Sequence, residues 1–323
     1  MAVDQIESVS AYATVVTTPE SLSEHYAEVA TPRMLSSGSQ IPHTKTLEIV
    51  EPLGEGGMGQ VFRAYDPTMD RYVALKVLKP GMNPVEQARF HREALIAANF
   101  SHPNLVRVLE VGEHQDMAWL TMEYLRGRDV GDIITNRKMI SFRVLVDIFG
   151  QSLDALSYLH ARGIAHCDIK PENIFITRDS YDRRLVVAKV IDFGIARHFK
   201  RDDDVSEQIS GDPRYMPPEQ AVTNARFDHR VDLYALGMTL YECICRLHPF
   251  ERKIEEGPHA LLAAHKDKPV PPPSLYMPSN TPPPLAKFFD DFIEVACAKA
   301  PAQRFDNAKA MKRVLERMLE YLD

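Results

Sequence analysis

The segment Gly54-Glu55-Gly56-Gly57-Met58-Gly59-Gln60-Val61 decides how the rest of the chain is read. Its glycines stand in G-x-G-x-x-G register, and the missing Cβ atoms let backbone N–H groups approach phosphate oxygens. A glycine-rich hairpin with no ligand satisfies the same spacing. Two phosphate-binding folds are excluded by the context. A dinucleotide-binding unit needs a helix next and an acid about 20 residues on, whereas here a strand pattern follows and position 76 is lysine. A Walker-type loop would end in Gly-Lys-Ser/Thr, which is absent. Downstream, Val73-Ala74-Leu75-Lys76 alternates with period 2, so Ala74 and Lys76 share one face. That face suits a flat base held between Val61 and Ala74, with Lys76 reaching its phosphates. Glu93, on a helical pattern, is the natural partner of Lys76.

Working outward, alternating segments at 60–65, 72–78 and 105–111, separated by Pro and Gly turns, predict a strand-rich first part. One helix interrupts it: Asn83-Pro84 supplies the cap and first-turn residue, the pattern runs through Ala98, and Phe90, Ala94 and Ala97 share a face. From Ser141 the period becomes helical, with Leu145, Ile148, Phe149, Ser152, Leu153, Leu156 and Leu159 in one stripe that Gly163 ends. Strand signals recur at 174–177 and 185–191, and an amphipathic helix bearing Met311, Val314, Leu315 and Met318 closes the chain. Residues 269–284 hold eight prolines and read as an extended surface connection, not a domain break. Residues 1–42 differ: eleven Ser or Thr in the first forty positions and no periodic apolar pattern predict a flexible tail.

Composition narrows the classes further. With 323 residues and 45% apolar content the chain can bury a sizeable core. Its net charge of −7 argues against bulk binding to nucleic acid or anionic membrane, both of which need a basic face. The longest nearly apolar run, residues 233–245, contains Glu242 and is too short to span a bilayer. Residues 1–32 carry no Lys or Arg and no apolar core of a signal peptide. The four cysteines, Cys167, Cys243, Cys245 and Cys297, are few for this length and point to reduced thiols and a cytoplasmic location.

Further motifs follow in order: His166-Cys167-Asp168-Ile169-Lys170-Pro171-Glu172-Asn173, then Asp192-Phe193-Gly194, Pro217-Pro218-Glu219, Asp232 and Arg304-Phe305. With the glycine loop, Lys76 and Glu93, they make the chain resemble the eukaryotic-like (Hanks-type) bacterial serine/threonine protein kinases over roughly residues 47–319. The resemblance implies an α+β, two-lobed fold within residues 43–323. A small antiparallel-sheet N-lobe with one main helix would span about 47–124, and a larger, mostly helical C-lobe about 125–319. It implies ATP and Mg²⁺ in the interlobe cleft and transfer of the γ-phosphate to protein Ser or Thr hydroxyls, including the chain's own. Such transfer needs positioning and charge neutralisation more than covalent catalysis. Asp168 would orient the acceptor hydroxyl, Lys170 would steady the γ-phosphate, and Asn173 and Asp192 would hold Mg²⁺ from two sides. Lys76, paired with Glu93, would hold the α/β-phosphates. The other implied nucleotide contacts are Leu53, Gly54 through Val61, Ala74, the gatekeeper Met122, the hinge residues Glu123 and Leu125, Asp129 at the ribose, and Phe175. His166, Phe193 and Asp232 read as supports of the loop around Asp168, and Glu219 with Arg304 as a brace.

Two positions depart from the family pattern. Cys167 replaces the Arg that pairs with a phosphorylated activation loop, so activity is expected not to wait for phosphorylation there; Ser206 and Ser210 are the hydroxyls between Gly194 and Gly211. Asp212 stands where a Thr touches the base and Lys170. Its carboxylate has three readings: an ion pair with Lys170, repulsion of Asp168, or an outward turn that caps Pro213. These departures keep a rival open, a pseudokinase acting as a nucleotide-gated binding module. A small-molecule kinase on the same fold is disfavoured by Lys170 and the Pro-Glu motif. Partners are expected to be protein substrates, and Thr18-Pro19 and Thr31-Pro32 in the tail would, once phosphorylated, suit a phospho-dependent partner.

Overall fold

The computed structural model describes residues 40–41, 47–55, 59–79, 90, 94, 97–114, 117–136, 140–178, 182, 185–193, 196–199 and 210–322. The chain divides into two compact units. One holds Arg107–Leu125 and the described residues before Phe100; the other holds Phe100–Val106 and the chain from Arg126 onward.

The first unit is built on a six-stranded antiparallel sheet. Its strands are β1 (Gln40–Ile41), β2 (Leu47–Glu55), β3 (Gly59–Asp66), β4 (Arg71–Leu78), β5 (Val108–His114) and β6 (Met117–Glu123), in the order β1-β2-β3-β4-β6-β5. Period-2 alternation sends Phe62, Ala64, Val73, Leu75, Val77 and Trp119 into one buried cluster with Leu47 and Ile49. The other face carries Leu78, Ala118 and Leu120, which pack against Phe90 and Ala94 of the helical stretch. The apolar stripe expected there is therefore buried as read, and full burial of a ring such as Phe90 contributes about 2–3 kcal/mol. The expected start of that helix at Asn83-Pro84 lies outside the described residues. Pro52, which has no N–H to give, coincides with a shift of register between β2 and β3.

Two boundaries differ from the sequence reading. Gln40 and Ile41, inside the segment read as tail, pair with Glu48 and Leu47 of β2. The strand expected at 105–111 begins only at Val108. Leu105 instead forms an isolated bridge with Val190, Val106 N–H donates to the Val190 carbonyl (3.0 Å), and Val190 N–H donates to the Asn104 carbonyl (2.8 Å). The Asn104 amide adds a bond to the Ala188 carbonyl. These bonds hold Phe100–Val106 in the second unit, a pairing that a strand pattern read locally does not reveal.

The second unit is mainly helical. In order it contains β7 (Gly127–Asp129), α1 (Val130–Thr135), α2 (Phe142–Ala161), β8 (Ile164–Ala165), β9 (Ile174–Arg178), β10 (Val186–Val190), β11 (Arg197–His198), α3 (Arg230–Cys245), α4 (Glu251–Glu255), α5 (Pro258–Asp267), α6 (Pro283–Ala296) and α7 (Ala308–Glu316). Ser141 caps α2 by accepting from Val144 N–H, and the expected stripe from Leu145 to Leu159 is buried. Helix α3 is buried on nearly all sides. Gly237 lets it approach Ala296 and Cys297 so closely that a Cβ there would sit 2.8 Å from both. The proline-rich 269–284 stretch connects α5 to α6 through a short 3₁₀ turn, within the unit as expected. Among the described residues no helix is long and apolar enough to cross a membrane.

Candidate active site

The chain between β8 and β9 is fixed from below by α3. Asp232, in the first turn of that helix and fully buried, accepts the amide N–H groups of His166 and Cys167, each at 2.8 Å, and the His160 Nε2 donor at 2.7 Å. Burial alone would raise the Asp232 carboxyl, but the hydrogen bond and charge of His160, with those of His166, hold it below its ordinary value. The two amide bonds offset a local cost, because Cys167 sits at φ 67°, a left-handed conformation costing a non-glycine residue about 1–2 kcal/mol. His166 then links two loops: its Nδ1 accepts from Asp168 N–H (3.3 Å) and its Nε2 donates to the Ile191 carbonyl (3.1 Å). Asp192, next in sequence, is likewise left-handed at φ 62°.

This frame holds Asp168 in one orientation. Its Oδ2 accepts from Lys170 Nζ (3.0 Å) and Asn173 Nδ2 (3.0 Å), its carbonyl accepts from the same Asn173 nitrogen (2.8 Å), and its Oδ1 accepts Asp212 N–H (3.2 Å). Lys170 is only 3% exposed. Burial would lower its ammonium, yet the charges of Asp168, Asp212 and Asp192 outweigh that and hold it above its ordinary value. Asn173 Oδ1 is buried with no hydrogen-bond partner.

Asp212 matches none of its three readings in full. It is buried, not outward, and its carboxylate goes neither to Lys170 as a hydrogen-bonded pair nor against Asp168. Instead it caps the turn, accepting Arg214 N–H at 2.9 Å, and receives the Arg214 guanidinium through Nε and Nη2, the latter at 2.7 Å. Arg214 Nη2 also reaches Glu172 Oε1 at 3.0 Å. Cys167 lies in an apolar cluster with Ala165 and Val231, packed by Phe199 and Phe227. Gln220 spans the neighbouring backbone: its Nε2 donates to the Cys167 carbonyl (2.8 Å) and the Ser210 carbonyl (3.0 Å). Arg197 donates to the Ser210 hydroxyl at 2.9 Å. The Glu219–Arg304 brace is present as expected, with all five guanidinium N–H donors used. Two meet Glu219 at 2.6 and 2.8 Å, and three meet the carbonyls of Ala298, Arg230 and Lys299.

The first unit carries the remaining expected residues. Leu53, Gly54, Glu55, Gln60 and Val61 line the β2–β3 hairpin, where Gly54 pairs with Val61 and Glu55 with Gln60. A Cβ on Gly59 would overlap the Val77 carbonyl, so glycine there is required by the approach of β4. Val61 pairs with Lys76, Lys76 with Leu120, and Ala74 with Met122, which places these side chains on one sheet face. The hinge strand end is pinned by Arg107: Glu123 N–H donates to its carbonyl, and its N–H donates to Glu123 Oε1, both at 2.9 Å. Gly56, Gly57, Met58, Glu93, Gly194 and Ser206 lie outside the described residues. In the second unit, Phe175 is half-buried on β9. Asp129 is 2% exposed and its Oδ1 caps α1 through Asp132 N–H (2.8 Å), a task that a ribose contact would have to share.

Residues 47–315 match the protein kinase domain family. The chain belongs to the protein kinase family. A serine/threonine-protein kinase of Myxococcus xanthus, pkn3, is 38% identical over 272 residues, covering 82% of this chain and 48% of the relative. The serine/threonine-protein kinase PknB of Mycolicibacterium smegmatis is 35% identical over 283 residues (84% and 43%), and a probable serine/threonine-protein kinase of Clostridium perfringens is 34% identical over 275 (84% and 38%). The kinase chain thus spans less than half the length of these curated relatives.

Kinases of this family use Mg²⁺, and the residues present fit it. The orphaned Asn173 oxygen is a hard ligand awaiting a partner. Among the described residues no group of three or more His, Cys, Asp or Glu could cage an ion unaided, and Mg²⁺ commonly keeps one or two protein ligands with phosphate and water completing its shell. Sequence reasoning missed Arg214, Gln220, Arg197 and His160. Arg214, Gln220 and Arg197 belong to no periodic pattern, and His160 is a polar residue at the end of the buried stripe of α2; each acts through a partner at least 13 residues away in the chain, apart from the local Arg214–Asp212 turn.

Proposed function

We propose that this kinase transfers the γ-phosphate of Mg-ATP to Ser or Thr hydroxyls of protein substrates, its own chain included. The observation that carries the reading is the fixed Asp168 carboxylate, held by Lys170, Asn173 and the Asp212 amide beside an unpartnered Asn173 oxygen. Asp168 orients the acceptor hydroxyl and receives its proton as that oxygen bonds to the γ-phosphorus and ADP departs. Lys170 neutralises charge on the transferring group. Asn173 and Asp192 would hold Mg²⁺, which would supply charge neutralisation across the phosphates. Lys76 with Glu93 takes the α/β-phosphates, while Val61, Ala74, Met122 and the Glu123 and Leu125 backbone take the adenine.

The pseudokinase reading loses one of its supports, since Arg214 neutralises Asp212. Loss of the phosphate-receiving Arg at Cys167 supports activity without activation-loop phosphorylation. Ser206→Ala with Ser210→Ala should then keep most of the initial rate on an exogenous peptide. Autophosphorylation of the tail at Thr18 and Thr31, read out by mass spectrometry after incubation with Mg-ATP, would create the phospho-dependent docking site.

The deciding experiment compares Asp168→Asn and Asp192→Asn with wild type. Each should lower phosphoryl transfer by roughly 10²-fold or more with folding intact, and nucleotide affinity should fall further for Asp192→Asn. Wild-type rates for Asp168→Asn would sink the assignment.

A further inference from the structure

Asp212 brings an uncommon charge beside the phosphoryl-transfer residues. Its carboxylate is buried and ionised, its own amide touches Asp168, and its field acts on Lys170. Left alone, an ionised carboxylate in that place would compete with Asp168 for the buried Lys170 ammonium. Lys170 has a single Nζ with three donors on a flexible stem, so it follows the stronger anion. The structure avoids the competition in a specific way. Arg214, two residues on, meets both Asp212 oxygens as a fork, through Nε at 3.1 Å to each and Nη2 at 2.7 Å to Oδ2. Such planar charge-assisted contacts occupy the lone pairs that Lys170 would need. The fork is itself held from outside: Arg214 Nη2 reaches Glu172, and the Arg214 carbonyl accepts from His248 Nε2 at 2.6 Å. Burial would raise the Asp212 carboxyl, and the Arg214 contact reverses that and keeps it charged.

We infer that Arg214 is a positioning residue for phosphoryl transfer: by sequestering the Asp212 carboxylate it keeps Lys170 on Asp168. The inference rests on the kinase reading above and assigns a task within it. The Arg214 guanidinium contacts Asp212 and Glu172. It acts through Asp212, so the two residues form a unit in which arginine is needed because aspartate is present.

The pairing makes a signed prediction. Arg214→Ala releases Asp212 to capture Lys170, and kcat on a Ser/Thr peptide should fall at least tenfold, because a misplacement of about 1 Å can cost on the order of 10²-fold. KM for ATP should stay within about twofold, since nucleotide-binding residues are untouched. Adding Asp212→Asn to Arg214→Ala removes the competing charge and should recover most of the lost kcat; a residue with only a bracing role would give a second loss instead. Arg214→Lys, which keeps the charge without the fork, should fall between wild type and Arg214→Ala. A readout independent of turnover is the urea midpoint, which should be higher for Asp212→Asn/Arg214→Ala than for Arg214→Ala. Wild-type kcat in Arg214→Ala, or a double variant no better than Arg214→Ala in rate and midpoint, overturns the inference. A wild-type protein with no Mg-ATP-dependent transfer overturns the kinase reading instead, and the midpoint comparison still decides whether Arg214 contains the Asp212 charge.

Discussion

Mild acid should destabilise this protein markedly, because two buried histidines resist taking up protons in place. His248 donates from Nε2 to the Arg214 carbonyl and accepts Phe250 N–H at Nδ1 (3.1 Å), so a proton on Nδ1 would break the second bond. His265 is fully buried, its Nδ1 is engaged with the Tyr234 hydroxyl at 2.8 Å, and its Nε2 has no hydrogen-bond partner. The two rings lie 6.0 Å apart. Burial pushes His248 down to about 4 and His265 down to about 3. Both folded values lie below the unfolded value near 6.5. Below that pH the unfolded chain binds protons that the folded chain refuses, and stability falls until the folded values are reached. Each group costs at most about 1.4 kcal/mol per pH unit, giving roughly 4 kcal/mol for the pair between pH 6.5 and 4.5. That is a large share of a typical 5–15 kcal/mol. Urea denaturation followed by tryptophan fluorescence and far-ultraviolet circular dichroism at pH 7.5, 6.5, 5.5 and 4.5 measures it. Asp212 and Asp232, whose folded values are depressed, act in a separate window: their contribution is full above about pH 4 and is lost only below it. A flat midpoint from pH 6.5 to 4.5, or a His248→Asn/His265→Asn variant with the same slope as wild type, would refute this reasoning.

Other perturbations have equally direct readouts. Asp232→Asn leaves one acceptor oxygen for three donors and strands a buried amide, so stability should drop by about 2–4 kcal/mol in chemical denaturation, with transfer falling as Cys167 relaxes. Arg304→Lys keeps the charge but cannot serve five acceptor contacts, and should cost about 2–3 kcal/mol without changing KM for ATP. In Gly127→Ala the added Cβ would overlap the Ile176 carbonyl, a backbone atom that cannot swing aside, so β7 should detach from β9 and amide exchange there should accelerate.

The parts of this fold that were legible in the sequence are those set by local periodicity. Alternation placed β3 and β4, and the 3.6-residue stripe from Leu145 to Leu159 placed α2 to within a residue of its Ser141 cap. The motif order marked Asp168, Lys170, Asn173, Asp232 and the Glu219–Arg304 brace, all of which the fold engages. Two kinds of feature were hidden. The short strand at Gln40–Ile41 pairs through backbone with Leu47 and Glu48, and the bridge at Leu105 with distant Val190; neither leaves a side-chain pattern. The fate of Asp212 depended on Arg214, whose identity has meaning only once the turn at Pro213 folds the two side chains together. Spacing alone cannot distinguish an acid that seeks Lys170 from one already claimed.

The amide of Gln220, which joins the carbonyls of Cys167 and Ser210, has a consequence for control. An arginine–phosphate clamp would be opened by any phosphatase and weakened by salt, whereas an uncharged carboxamide offers a phosphatase nothing to remove and is nearly insensitive to ionic strength. The two Gln220 bonds themselves carry no charge that dephosphorylation would remove.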